Sequence, residues 1–252
     1  MFRNPLTALL LAITGMAAQA GVLETSVAID GVYIPALSLT SAAQTSAPAA
    51  DKAQAALRRL QSRWPALRAS LSRELAGGTT AQQSALRKAL ISVDADLLAE
   101  GKAVAAHDFK GAHESLEGVR ITLMDLRVSR GVDYFVDRLT AFHEPMEVLA
   151  LAGNVAAPAE ALSPAKRAEL EKAFAHARAL WRGVEAKLPI GRLYALEGGR
   201  LAQFEKGVAD ETAALSRLSD ALRGANTDAL LKAAAATKPP FARAFTAFGQ
   251  GD

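Results

Sequence analysis

The stretch LRRLQSRWPALRASL at residues 57–71 decides the fold, because a related stretch, FAHARALWRGVEAKL, follows at residues 174–188. Both place apolar residues in steps of 3, 4, 3 and 4, which keeps one face of an α-helix apolar. The two tryptophans of the chain, Trp64 and Trp181, fall at the same place in this pattern, 117 residues apart. The apolar positions are Leu57, Leu60, Trp64, Leu67 and Leu71, and then Phe174, Ala177, Trp181, Val184 and Leu188.

The correspondence continues into the next helix of each copy, at a spacing of 118 residues. Asp108 and Asn226 align after it, and both are good N-cap residues for a following helix. The sequence therefore predicts a tandem duplication. The matched positions are Leu86, Leu90, Val93, Leu97 and Val104 in the first copy, and Phe204, Val208, Glu211, Leu215 and Leu222 in the second.

The composition favours an all-α fold, because half of the residues are apolar, alanine supplies much of that half, and aromatic residues make up only 6%. The patterns predict two four-helix up-and-down bundles, residues 21–130 and 132–252, joined at Gly131 in a left-handed helix end. The Asp30-Gly31 pair also permits a hairpin turn, an alternative for the first segment. Helices are expected near 30–42, 51–75, 81–106, 109–129, 133–152, 164–188, 198–223 and 227–248.

The first twenty residues resemble a secretory signal. Arg3 precedes an apolar segment from Leu6 to Met16, and Ala18-Gln19-Ala20 is a small-x-small cleavage motif. A membrane anchor is the competing interpretation, but the apolar segment is shorter than the roughly 20 residues that span a bilayer. We expect cleavage after Ala20, a periplasmic location, and no membrane-spanning segment in the mature chain.

Charge and cysteine content exclude several classes of function. The formal net charge of +3 falls to +2 without Arg3, and no basic cluster indicates a nucleic-acid partner. Because the chain has no cysteine, disulfides, thiolate metal sites and c-type haem attachment are excluded. No nucleotide-binding or hydrolase motif occurs, which favours a protein that is not an enzyme, with hydrolysis at a bound metal left as an open alternative.

The candidate site comes from a five-residue pattern used twice, His113-Glu114-Ser115-Leu116-Glu117 and His143-Glu144-Pro145-Met146-Glu147. A histidine and a glutamate four residues apart lie one turn apart on the same helix face. If the two helices fold back about residue 130, His113 lies level with Glu147 and Glu117 with His143. The pattern therefore predicts a metal site made of His113, Glu117, His143 and Glu147.

Nitrogen and oxygen ligands without thiolate suit a divalent or trivalent transition metal of the Fe, Cu or Zn class. Met146 or Met124 would add a soft ligand that favours copper, although Met146 fits the core pattern better. Three alternatives remain open: two interhelical ion pairs without metal, a metal-free adaptor that binds a periplasmic or membrane protein partner, and haem b held by His143 with His113 or Met124.

Two short segments resemble known families. The export signal, the bundle count and the ending at residues 238–249, Lys-Pro-Pro-Phe-Ala-Arg-Ala-Phe-Thr-Ala-Phe-Gly, resemble cytochrome c′ and b562 helical bundles. Gly111-Ala112-His113 resembles the imelysin family of periplasmic metal-binding bundles. The haem-attachment cysteines of the first are absent. The imelysin motif has its glutamate three residues after the histidine, where this chain has Leu116. The resemblance implies an exported helical bundle and assigns no residue a role.

Overall fold

The computed structural model describes residues 5–153 and 162–250, with side chains from Ala20 onward. This part of the chain contains nine α-helices, one 3₁₀ helix and no strand, which confirms the all-α class. The helices are α1 (Pro5–Ala43), α2 (Ala47–Glu74), α3 (Thr80–Ala105), α4 (Phe109–Ser129), α5 (Phe135–Gly153), α6 (Pro164–Ala186), α7 (Gly198–Arg223), α8 (Thr227–Ala235) and α9 (Lys238–Thr246), with the 3₁₀ helix at Gly191–Tyr194. The segment expected between the helices near 133–152 and 164–188 lies largely outside the described residues.

The described chain divides into two compact units. Unit 1 comprises residues 5–134 with 249 and 250, and unit 2 comprises residues 135–248. In unit 1, α1 packs against α2 and α4, and α3 packs against α2 and α4, so the four helices close into a ring. In unit 2, α5 and α7 each pack against α6, α8 and α9. The short helices α8 and α9 together occupy the place of a fourth helix.

Helix α1 runs without interruption through Asp30-Gly31, so the alternative of a hairpin turn there is wrong. Pro35 lies inside this helix and has no N–H to donate to the carbonyl of Gly31, four residues earlier. The backbone N–H of Gln250 donates to that carbonyl instead, at 3.0 Å. Gly31 permits the approach, because a β-carbon there would lie 2.9 Å from the Gln250 side chain. Gln250, the last described residue, therefore supplies the hydrogen bond that Pro35 cannot make within α1.

The segment Ala20–Ala43 is long and apolar enough to cross a membrane by length and composition alone. The expectation that no later segment meets that measure was therefore wrong. Most of its apolar stretch is buried inside the protein, where it packs against α2 and α4. A core helix satisfies the same measure, because its buried face must be apolar.

The predicted helix ends are largely confirmed by their caps. The side chain of Asp108 accepts a hydrogen bond from the N–H of Gly111, and that of Asn226 from the N–H of Ala229. Gly131 has the expected left-handed backbone, with φ of 68°. The single helix expected over 227–248 is instead divided into α8 and α9. Pro239 and Pro240 cannot donate to carbonyls of the preceding turn, but prolines are well tolerated at the start of a new helix.

The two tryptophans make comparable hydrogen bonds. Trp64 Nε1 donates to Asp94 Oδ1 at 2.7 Å, and Trp181 Nε1 donates to Thr212 Oγ1 at 2.9 Å. Asp94 and Thr212 are 118 residues apart, the spacing found for these helices in the sequence. Each unit therefore joins its second and third long helices by an indole N–H that donates to an oxygen at the matched position.

Close packing in unit 2 depends on a glycine. A β-carbon at Gly207 of α7 would lie 2.5 Å from the backbone nitrogen of Ala244 in α9, and 2.8 Å from its Cα. Both atoms belong to the main chain, so a side-chain movement cannot relieve the clash. Gly199 is the matched control in the same helix, because a β-carbon there would have no such atom within 4 Å.

We expect Gly207→Ala to lower the free energy of unfolding by about 1–3 kcal/mol, because α9 must shift away from α7. We expect Gly199→Ala to leave it unchanged or slightly raised, since alanine is the better helix former. Urea unfolding followed by far-ultraviolet circular dichroism measures both. Equal stability of the two variants would contradict the packing described for α7 and α9.

Candidate functional site

The four predicted site residues lie on two helices in different units. His113 and Glu117 belong to α4 in unit 1, whereas His143 and Glu147 belong to α5 in unit 2. In each pair the two side chains face one another across one helical turn. His113 Nε2 lies 3.6 Å from Glu117 Oε1, and His143 Nε2 lies 3.9 Å from Glu147 Oε2. The prediction that all four share one ion stays a prediction.

The His113 ring is oriented by α1. Its Nδ1 lies 3.1 Å from the carbonyl oxygen of Leu37 and 3.5 Å from the hydroxyl of Thr40. A carbonyl oxygen can only accept, so Nδ1 must carry the proton that forms this bond. Nε2 is then the nitrogen that points at Glu117. This assignment follows from the hydrogen-bond partners.

The consequence is a gap between His113 and Glu117 that favours a cation. If the imidazole is neutral, a lone pair on Nε2 faces a carboxylate oxygen at 3.6 Å, and two acceptors repel one another. A proton on Nε2 relieves this by forming an imidazolium–carboxylate pair. A metal ion between the two atoms relieves it equally well. Metal-binding histidines commonly donate their other N–H to a backbone carbonyl, as His113 does to Leu37.

Basic residues already contact one oxygen of each carboxylate. Arg120, whose side chain is almost completely buried, donates to Glu117 Oε2. Lys238 Nζ lies 2.8 Å from Glu147 Oε1. The oxygen of each glutamate that faces its histidine is the other one, Oε1 in Glu117 and Oε2 in Glu147. In each pair a histidine nitrogen and a glutamate oxygen therefore face one another.

The surroundings of the second pair are more aromatic. The His143 ring lies 5.5 Å from the ring of Phe241, centroid to centroid. Glu147 Oε2 is buried and has no hydrogen-bond partner among the described residues. Met146 is completely buried in the core of unit 2, in agreement with its place in the apolar pattern. Across residues 5–153 and 162–250, no group of three or more His, Cys, Asp or Glu side chains is arranged to hold a metal ion.

The remaining two histidines lie elsewhere. His107 follows the end of α3 with a left-handed backbone, φ of 58°, and His176 is exposed on α6. Met124, the other sulfur ligand considered from the sequence, is half-buried on α4 in unit 1. Haem b binding stays a prediction.

The sequence did not lead us to predict two buried glutamates, Glu100 and Glu211. Acidic residues spaced like Asp94, Asp96 and Glu100 ordinarily indicate a solvated helix face, but the side chain of Glu100 is completely buried. Glu211 on α7 is also completely buried. The oxygens of Glu100 have no hydrogen-bond partner among the described residues, whereas the backbone of Phe241 lies close to the carboxyl group of Glu211. The signal was present in the sequence, because Glu100 and Glu211 both stand at apolar positions of their helical patterns.

Burial raises the pKa of Glu100 to about 8 and that of Glu211 to about 9, because a charged carboxylate loses its hydration in the core. Both side chains are therefore largely neutral at pH 7. Between pH 4.5, the usual value, and these raised values, the folded protein binds protons that the unfolded chain has lost. The free energy of unfolding consequently falls as the pH rises across this interval.

We expect the protein to melt at a markedly higher temperature at pH 5 than at pH 8, with each buried carboxyl contributing on the order of 1 kcal/mol per pH unit. Glu211→Gln should flatten this dependence, because a neutral amide does not titrate. Glu205→Gln, which changes an exposed acid on the same helix, is the control and should leave the dependence intact. A wild-type melting temperature that rises from pH 5 to pH 8 would contradict the burial of these groups.

No known protein family, curated protein or solved structure matches this chain. The similarity to imelysins and to cytochrome c′ and b562 bundles therefore stays limited to the short segments quoted above.

Proposed function

We propose that this chain is an exported, periplasmic helical protein, built by tandem duplication of a four-helix unit, that binds a transition-metal ion through His113, Glu117, His143 and Glu147. Storage, delivery or sensing of the metal would be its role, without catalysis. The proposal of duplication is supported by the matched tryptophan hydrogen bonds to Asp94 and Thr212.

The observation that carries the metal proposal is the hydrogen bond from His113 Nδ1 to the Leu37 carbonyl. It leaves Nε2 facing Glu117 Oε1 across 3.6 Å, with one nitrogen and one oxygen directed into the same gap. An ion with ligand bonds near 2 Å fits between atoms at about this separation. Water molecules would complete its coordination. An N,O donor set of this kind suits zinc, iron and copper(II).

A second candidate function is a metal-free adaptor. It is favoured by the contacts of Glu117 with Arg120 and of Glu147 with Lys238, which already balance both carboxylates. In this alternative each histidine is a structural member of an ion-pair network. Four aliphatic side chains on α3 and α4, between 49% and 62% exposed, would then contribute to contact with a protein partner: Ile91, Leu98, Ile121 and Val128.

We expect zinc or copper(II) to raise the melting temperature of metal-stripped protein, and a chelator to reverse the rise. Free metal at 100 times its Kd corresponds to about 2.7 kcal/mol of added stability. His113→Ala should remove this response, since it deletes the nitrogen ligand. His176→Ala is the matched control, because that histidine is exposed on α6 and remote from the predicted ligands in sequence.

The number of metal ions bound per chain, measured by titration calorimetry, distinguishes one shared ion from two separate sites. One shared ion is lost completely in either His113→Ala or His143→Ala, whereas two separate sites lose one equivalent each. If the double variant binds zinc and copper as tightly as the wild type, or if the wild type binds neither, the metal proposal is wrong. The adaptor alternative then predicts a melting temperature that neither metal nor chelator changes.

Export is tested by the mass of the secreted chain. Expressed with its own first twenty residues in a Gram-negative host, the protein should be recovered from the periplasmic fraction with Gly21 as its first residue. Replacing Ala18 and Ala20 by bulky residues should block processing, because signal cleavage requires small residues there. Recovery of the full-length chain in the cytoplasm would show that the N-terminus is not an export signal.

A further inference from the structure

Glu74 is a half-buried acid near the predicted cleavage point. It is the last residue of α2, and its Oε1 accepts a hydrogen bond from the hydroxyl of Thr25 in α1 at 2.9 Å. Its other oxygen, Oε2, is buried and has no hydrogen-bond partner among the described residues. Leaving one oxygen of a carboxylate buried and unpaired costs free energy. The surroundings of Glu74 therefore lack one donor.

Gly21 lies directly against this side chain. A β-carbon at Gly21 would lie 3.2 Å from Cδ of Glu74 and 3.5 Å from its Oε1. The backbone nitrogen of Gly21 is bonded to the same Cα, so it lies within a few ångströms of the carboxylate. In the uncleaved chain this nitrogen is an ordinary amide inside α1. Cleavage after Ala20 would convert it into a primary ammonium, with three donors and a positive charge.

Cleavage would also leave α1 with a new N-terminus. The N–H groups of Val22, Leu23 and Glu24 would lose the carbonyls of the preceding turn. An ammonium at a helix N-terminus is itself unfavourable, because it adds positive charge to the positive end of the helix dipole. A carboxylate beside that end offsets both effects.

We propose that Glu74 receives the α-ammonium created at Gly21 by signal cleavage, so that removal of the signal completes unit 1 with an ion pair between α1 and α2. The inference rests on the proposed export and cleavage. It adds the Glu74 carboxylate as the partner of the new N-terminus. Glycine also suits position 21 sterically, because the β-carbon of a larger residue would lie tightly against the Glu74 side chain.

Among the described side chains, two further charged groups lie in the neighbourhood of Gly21, one on α1 and one in the cleft that Glu74 lines. On α1 itself, Glu24 is exposed and lies in the first turn of the processed helix. Arg130 lines the same cleft as Val22 and Glu74, but its Nη1 and Nη2 donate to the carbonyls of Gly77 and Gln82. No ion pair joins Arg130 to Glu74 in the described residues. Oε2 of Glu74 therefore has no cationic partner among the described residues.

The test compares two N-termini and two side chains at position 74. One chain begins at Gly21, released from a cleavable tag without extra residues, and the other begins at Ala18, which displaces the ammonium by about one helical turn. Each is prepared with Glu74 and with Glu74→Gln. Far-ultraviolet circular dichroism verifies folding of all four, and urea unfolding gives their equilibrium constants.

We expect Glu74→Gln to lower the folding constant about tenfold more in the chain that begins at Gly21 than in the one that begins at Ala18. By linkage, the same tenfold coupling raises the pKa of the Gly21 amino group by about one unit from its ordinary value near 8. Nuclear magnetic resonance of ¹³C-labelled Gly21 measures that pKa directly. It should return to the ordinary value in Glu74→Gln, and stay raised in Glu114→Gln, a change of an exposed acid on α4.

The sign of the pH dependence is a further check. A group whose pKa is raised by folding contributes stability below its ordinary pKa and loses it as the pH rises through the raised value. The part of the stability difference between the wild-type side chain and Glu74→Gln that is specific to the chain beginning at Gly21 should therefore be complete at pH 7 and vanish by about pH 10. An amino pKa that is equal in the two forms, or equal effects of Glu74→Gln on both N-termini, would overturn the inference.

These measurements use chains made without the signal, so they do not depend on export. A secreted chain that does not begin at Gly21, together with coupling in the prepared chain, would reject the proposed cleavage and leave the Gly21–Glu74 geometry supported. A secreted chain that begins at Gly21 but shows no coupling would support the proposed cleavage and reject the ion pair between Gly21 and Glu74.

Discussion

Burial of α1 against α2 and α4 is the constraint on which unit 1 depends. This helix is apolar enough to form a core, but it also satisfies polar groups of its neighbours. Its Tyr33 hydroxyl donates to the carbonyl of Leu116 at 2.7 Å, and its Asp30 accepts from Tyr134 at 2.6 Å. Its Leu37 carbonyl orients His113. A buried polar group without such a partner costs free energy, so these bonds fix the position of α1 against α4.

Both units combine an apolar core with isolated buried carboxyls. Glu100 and Glu211 occupy positions that an aliphatic residue would fill, and their neutral form at pH 7 makes this tolerable. By contrast, Glu117 and Glu147 are partly exposed and have basic neighbours, Arg120 and Lys238. The first pair suits a protonated core, whereas the second pair suits a charged site. Glutamate therefore occurs in two kinds of environment in this protein: completely buried in the core, or partly exposed beside a basic residue.

Much of the fold could be predicted from the sequence, because its signals are local. The steps of three and four residues predicted the apolar faces around Trp64 and Trp181, and Asp108 and Asn226 were recognised as N-caps. The first helix was harder, because a uniformly apolar segment has no periodic face, and Asp30-Gly31 is also typical of turns. The division of the last helix followed from Pro239 and Pro240, which a search for apolar periodicity does not weigh.

The candidate site was predictable only in part. The spacing of His113 and Glu117 within one helix is visible in the sequence, and so is that of His143 and Glu147. Their partners come from distant segments, and no local pattern indicates them: Leu37 for His113, and Lys238 for Glu147. The orientation of the imidazole, on which the metal chemistry depends, is therefore a property of the packed helices.

The backbone bond between Gln250 and Gly31 has a consequence for the order in which the protein becomes complete. N-terminal regions ordinarily fold first as a chain is synthesised. Here the first unit contains a carbonyl whose donor follows only after the whole of the second unit, so this one bond cannot form until both units have been synthesised.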